Sequence, residues 1–121
     1  MNKLLIVDDS NVIRTKIENI YKDNDSVQVV GKATNGRMAV QLLGELAPNI
    51  VTMDLTMPRM DGIECIKKLI ELNPKLKILV VSALSDKETG IRALTLGAQG
   101  FLCKPFTQDD LKSALQKIIN V

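Results

Sequence analysis

The sequence predicts a doubly wound α/β domain, a parallel sheet with helices on both faces. Three observations predict it. Five short apolar runs alternate strictly with segments of helical spacing or helix-capping signals. Most of these runs are near-continuously apolar, as expected of strands buried on both faces. The length, 121 residues, is close to that of one ordinary domain.

Taken in order, Leu4-Leu5-Ile6-Val7 reads as strand 1 and runs into Asp8-Asp9. Ser10 is a plausible N-cap for a helix with the stripe Val12, Ile13, Ile17 and Ile20. Val27 to Val30 reads as strand 2; Asn35 then caps a helix with the stripe Met38, Leu42, Leu43 and Leu46, stopped by Pro48. Ile50 to Met53 forms strand 3 and delivers Asp54. Met57-Pro58 and Asp61-Gly62 turn the chain into helix 3, because Pro presets φ and Gly relieves steric limits. Ile63, Ile66, Leu69 and Ile70 are that helix's apolar stripe, and Asn73-Pro74 ends it. Ile78 to Val81 is strand 4; Ser85 to Glu88 has the form of a capping box, and Gly97 can end the fourth helix. Phe101 to Cys103 is strand 5. A near-relative of the capping box, Thr107 to Asp110, starts a helix with Leu111, Ala114, Leu115, Ile118 and Ile119 on one face. Right-handed crossovers leave few topologies, of which the flavodoxin-like order 2-1-3-4-5 is chosen. No repeat or linker divides residues 1–121, so a single (βα)5 domain is expected.

Composition excludes several function classes. The net charge is +2, with 16 basic and 14 acidic residues, too balanced for a phosphate-backbone binder. Aromatics are 2%, leaving few stacking platforms for single-stranded nucleic acid. No apolar run approaches a membrane span and the N-terminus does not read as a signal peptide. Cys65 and Cys103 lack metal-pair spacing and fit small apolar residues in a reducing compartment. With 0 histidines, Ser-His and Cys-His nucleophiles and His-rich zinc sites are excluded. Any metal must be held mainly by oxygen, which favours Mg²⁺ or Ca²⁺. The stretch Gly31 to Gly36 has the G-x₄-G spacing of a P-loop, but Arg37-Met38 stands where Lys-Ser/Thr is required, so nucleotide binding is rejected there.

Ligands of an open parallel sheet bind beyond the carboxyl ends of its strands. There the sequence places Asp8 and Asp9 after strand 1, Asp54 after strand 3, Ser82 after strand 4 and Lys104 after strand 5. Each has an ordinary reading alone: an acidic pair facing a helix N-terminus, a loop hydroxyl, a solvated lysine. Together, at equivalent strand ends, they suggest chemistry. Three adjacent carboxylates repel unless a cation joins them, and Mg²⁺ needs only one or two direct carboxylates. Asp54 is then a nucleophile able to form an aspartyl-phosphate, with Lys104 and the metal neutralising the transferring phosphoryl group and Ser82 donating to its oxygens.

The ordered set Asp8-Asp9, Asp54, Met57-Pro58, Asp61-Gly62, Ser82-Ala83 and Lys104-Pro105-Phe106 resembles the receiver domains of two-component response regulators over the whole chain. Within that family it is most similar to the stand-alone chemotaxis regulators. The resemblance implies that Asp54 is the phosphoacceptor, that Asp8, Asp9, Asp54 and the backbone carbonyl of Thr56 hold Mg²⁺, and that Lys104 contacts the phosphoryl group, with Pro105 following through a cis bond. It implies that Ser82 and Phe101 are switch residues and that Thr56 and Leu84 tune phosphate lifetime. It further implies a CheA-like histidine kinase as donor, and a flagellar motor switch protein and an aspartyl-phosphate phosphatase as further partners. A cytoplasmic monomer that touches neither nucleic acid nor membrane is expected, changing its helix 4–strand 5–helix 5 face on phosphorylation, and not an enzyme beyond its own phosphorylation and dephosphorylation. A phosphorelay intermediate or a receiver excised from a larger regulator is the alternative. From a different class, a Mg²⁺-dependent phosphatase with an Asp54 nucleophile would need a second acid after it, where Thr56 stands. A receiver-like module that is never phosphorylated is opposed by the complete acid set with Lys104.

Overall fold

Each expected apolar run becomes a strand. A computed structural model describes residues 1–57 and 62–120, apart from the side chain of Leu84. Pro58, Arg59, Met60 and Asp61, and with them most of the expected turn, lie outside the described residues. The order is β1 (Asn2–Val7), α1 (Asn11–Ile20), β2 (Val27–Ala33), α2 (Gly36–Leu46), β3 (Ile50–Met53), α3 (Gly62–Leu72), β4 (Lys77–Ala83), a 3-10 turn (Leu84–Asp86), α4 (Lys87–Thr95), β5 (Gly100–Lys104) and α5 (Gln108–Ile119). All neighbouring strands are parallel and the sheet order is β2-β1-β3-β4-β5. This is the flavodoxin-like order expected.

Successive strand residues point to opposite faces, so each strand feeds two core layers. Leu5, Val7, Val51, Met53, Ile78 and Val80 pack with α2, α3 and α4 through residues such as Leu43, Ile66, Leu69 and Ala93. Leu4, Ile6, Ile50, Leu79 and Val81 pack with α1 and α5 through Ile17, Leu111, Leu115 and Ile118. Near-continuous burial of β1, β3 and β4 explains why those strands read as unbroken apolar runs.

Among the described helix starts, those of α1, α2 and α5 follow the capping chemistry and that of α4 does not. Ser10 Oγ accepts from Ile13 N at 3.3 Å and Asn35 Oδ1 from Met38 N at 2.9 Å. Thr107 and Asp110 form a reciprocal capping box at α5, and hydrogen bonding from the Thr107 backbone N–H, then from its side chain, holds the Asp110 carboxyl below its usual range. The box expected from Ser85 to Glu88 does not form. The intervening 3-10 turn puts Asp86 at the N-cap, and its side chain makes no capping bond.

Two stripes shift as well. Val12 is 74% exposed and Met38 37%. The buried positions are Ile17 in α1 and Gly36, Ala39 and Leu43 in α2, where small residues let the helix lie close to the sheet. Helix α2 ends at Leu46, one residue before Ala47 adopts a left-handed φ of 49°; Pro48 follows. Gly97, with a φ of 124°, lies just past α4, as expected of a terminating glycine.

Candidate functional site

The sheet ladder itself carries the acids to its edge. One residue past β1, Asp8 N donates to the Ala33 carbonyl at 3.1 Å, and one residue past β3, Asp54 N donates to the Val7 carbonyl at 2.9 Å. The backbone N–H of each acid is thus hydrogen-bonded in register just past its strand end. Gly62 closes the approach of α3 to this edge. A Cβ there would lie 2.5 Å from Leu55 Cα and 2.6 Å from the Asp54 carbonyl oxygen, so only glycine fits.

Strand parity groups the charges. Continuing the alternation, Asp8, Asp54 and Lys104 share the face of Ile6, Thr52 and Leu102, toward α1 and α5. Oxygens of Asp8, Asp9 and Asp54 all lie within 4.8 Å of one another. Lys104 Nζ sits 2.8 Å from Asp8 Oδ2 and 3.6 Å from Asp54 Oδ1. The backbone supports the same cluster: Ser10 N donates to Asp8 Oδ1 at 2.9 Å and Thr56 N to Asp54 Oδ1 at 3.4 Å. Arg14 donates to the Asp8 carbonyl at 2.7 Å. The peptide bond from Lys104 to Pro105 is cis, as expected, and Lys16 donates to the Phe106 carbonyl while its ammonium stands 4.3 Å from the Phe106 ring centre.

Electrostatics show what the site lacks. The Asp54 carboxyl is pushed up to about 6, chiefly by burial and next by the neighbouring Asp8 carboxylate. Lys104 and the Thr56 N–H pull the other way without cancelling these effects. One lysine therefore leaves the ionised cluster under-neutralised. Three converging hard oxygens with residual negative charge fit a small divalent cation such as Mg²⁺.

The other face of the edge is built differently. Ser82 and Phe101 have the parity of Val80 and point toward α4. Ser82 is buried, and its hydroxyl donates to Asp86 Oδ2 at 2.8 Å. The Thr56 hydroxyl reaches the same oxygen at 3.4 Å. Phe101 is half-buried, with its ring laid over Gly90 of α4, where a Cβ would come within 2.2 Å of Phe101 Cε2.

The structure therefore brings together Asp8, Asp9, Asp54 and Lys104 as expected, places Thr56 beside them, and puts Ser82 and Phe101 along the neighbouring α4 side. The backbone of Leu84 lies in the 3-10 turn, and its side chain is outside the described residues. Sequence reasoning missed Asp86 and Gly90. Asp86 lies four residues after Ser82 in what read as a capping segment, and Gly90 is a helix-interior glycine, a costly choice that signals close packing.

Comparison with known proteins agrees with this geometry. The chemotaxis protein CheY of Listeria monocytogenes is 44% identical over 117 residues, covering 97% of this chain and 98% of the relative. CheY of Thermotoga maritima is 42% identical over 116 residues, covering 96% of each. Among solved structures, the CheX–CheY–BeF3–Mg complex of Borrelia burgdorferi contains a chain that matches with a TM-score of 0.90 at 28% identity, covering 98% of this chain and 89% of the other. Residues 4–116 match the response regulator receiver domain, and with the sheet order and the strand-end acids in place, the chain belongs to that family.

Proposed function

We propose that the chain is a signalling phosphoacceptor. An Asp54 carboxylate oxygen attacks the phosphorus of a phosphohistidine on a kinase, the phosphorus–nitrogen bond breaks, and the imidazole leaves with the bonding electron pair while the phosphoryl group stays on Asp54 as an acyl phosphate. The observation that supports this most directly is the ion pairing of Lys104 with both Asp8 and Asp54, at 2.8 and 3.6 Å. It places an ammonium beside the nucleophile, where negative charge develops on the transferring oxygens.

Asp8, Asp9, Asp54 and the Thr56 carbonyl would hold Mg²⁺, which supplies charge neutralisation at the phosphoryl group. Phosphorylation adds charge and acceptor oxygens. Ser82 then donates to one of those oxygens, and the change is passed to the face of α4, β5 and α5 through a shift between two existing arrangements. On this reading the protein catalyses its own phosphorylation and dephosphorylation and has no separate substrate to turn over.

The CheY relatives make chemotaxis the favoured setting, with a CheA-like kinase as donor, a flagellar motor switch protein as target and a phosphatase of the CheX kind as a further partner. Among the described residues no helix is long and apolar enough to cross a membrane; the similarity to CheY makes the cytoplasm the favoured place of action. Incubation with acetyl phosphate and Mg²⁺, read by intact-protein mass, is expected to add one phosphoryl group that Asp54→Asn removes. Full labelling of the variant overturns the assignment. A pull-down with beryllofluoride, an acyl-phosphate mimic, is expected to retain a flagellar switch protein that is lost without it.

A further inference from the structure

Asp86 occupies the N-cap position of α4 yet does not cap it. An N-cap aspartate normally accepts from backbone N–H groups of the first turn. Here one carboxylate oxygen instead accepts from the Ser82 hydroxyl at 2.8 Å and from the Thr56 hydroxyl at 3.4 Å. The carboxylate so joins three segments: the end of β4, the loop after β3 and the start of α4. Ser82 is 1% exposed, so its hydroxyl has little access to bulk water as an alternative partner.

A serine hydroxyl has one proton. While that proton is hydrogen-bonded to Asp86, it cannot be donated to a phosphoryl oxygen on Asp54. We propose that Asp86 is a positioning residue that holds the Ser82 hydroxyl away from the phosphoryl position and so sets the threshold for switching. This rests on the phosphoacceptor reading above.

Release has a natural destination. When a phosphoryl oxygen accepts the Ser82 hydrogen bond, the added negative charge also repels the Asp86 carboxylate. Freed from Ser82, that carboxylate turns to water, since Asp86 is only part-buried and its backbone, with φ of −97° and ψ of 17°, is outside the extended conformation of a capping residue. A bistable contact of this kind biases a two-state equilibrium without any change in the acid cluster.

The test is a beryllofluoride titration in Mg²⁺, followed by amide NMR, on the wild type, Asp86→Ala, Asp86→Asn, Ser82→Ala and the double variant Asp86→Ala/Ser82→Ala. Asp86→Ala is expected to bind beryllofluoride roughly 3- to 10-fold more tightly, the range of one net hydrogen bond. Asp86→Asn keeps the side-chain volume and a neutral acceptor, guards against a folding artefact, and is expected to show a smaller gain of the same sign. In the Ser82→Ala background less than half of the Asp86→Ala gain should survive, because no hydroxyl is left to compete for. In metal-free protein, amide exchange in the first turn of α4 should be faster in Asp86→Ala than in the wild type. No gain in either Asp86 variant, or a gain that stays above half without Ser82, overturns the proposal while the phosphoacceptor reading stands. Failure of the wild type to bind beryllofluoride at all overturns that reading, and this inference with it.

Discussion

Two halves of the same sheet edge are held in different ways. Toward α1 and α5, Asp8, Asp54 and Lys104 are bound to one another across three strands, with the Lys104 ammonium between two carboxylates. Toward α4, Ser82 and Phe101 are bound to the helix and its approach: the hydroxyl to Asp86, the ring over Gly90. Strand parity separates the two sets, since neighbouring residues point to opposite faces. The charged half is assembled before any phosphoryl group arrives, and its strain is electrostatic. The α4 half is satisfied in its present arrangement and must exchange partners to respond. Chemistry and response can thus sit on one strand, at Lys104 and Phe101 of β5, and still be governed by different forces.

The largest effect that would test this contrast is in the charged half. Asp54 is raised from 3.8 to about 6, so the folded state binds its proton more tightly than the unfolded state does. Stability therefore falls as pH rises from about 4 to about 6, and the deficit is fully present above that window. Two units correspond to about 3 kcal/mol. In chelator at pH 7, Asp54→Asn is expected to stabilise the protein by an amount of that order in urea denaturation, with the advantage vanishing near pH 4. Saturating Mg²⁺ should remove most of it by stabilising the wild type through binding. A destabilised Asp54→Asn protein would show that burial and the Asp8 charge do not disfavour the ionised Asp54.

A smaller effect is expected in the α4 half. Gly90→Ala would put a methyl 2.2 Å from a ring carbon of Phe101, and either the ring or the helix has to give. The expected cost is about 1–3 kcal/mol, with Phe101 moved to a more exposed position, visible in ring-to-methyl nuclear Overhauser contacts. An unmoved ring would mean that α4 shifts instead. The smallest effect lies on the strand that carries Asp54. Thr52 Oγ1 is buried without a hydrogen-bond partner, so Thr52→Val is expected to stabilise the fold by about 1 kcal/mol in thermal melts. A loss there would show that the hydroxyl has a partner, such as an ordered water.

Much of this was legible before folding. The acids could be placed because a strand that ends on Asp8 or Asp54 has to deliver it to the edge of the sheet, whatever surrounds it. The caps at Ser10, Asn35 and Thr107 were legible for the same local reason. Asp86 was not, because its sequence neighbourhood reads as a helix start; its role depends on Ser82 and on Thr56, 30 residues away in the chain. Val12 misled in the opposite way, continuing a helical stripe yet standing 74% exposed.

By itself, then, the sequence determined the alternation of strands and helices, the family and the identity of the acids and lysine, because each follows from local spacing or from residue type at a strand end. Only the tertiary structure decided that Lys104 stands between Asp8 and Asp54, that Asp54 is under-neutralised, that the Ser82 hydroxyl donates its hydrogen bond to Asp86 and that Phe101 lies on Gly90. Those facts depend on distances between segments remote in the chain, and such distances are set by how helices pack on the sheet rather than by any local preference of the residues involved.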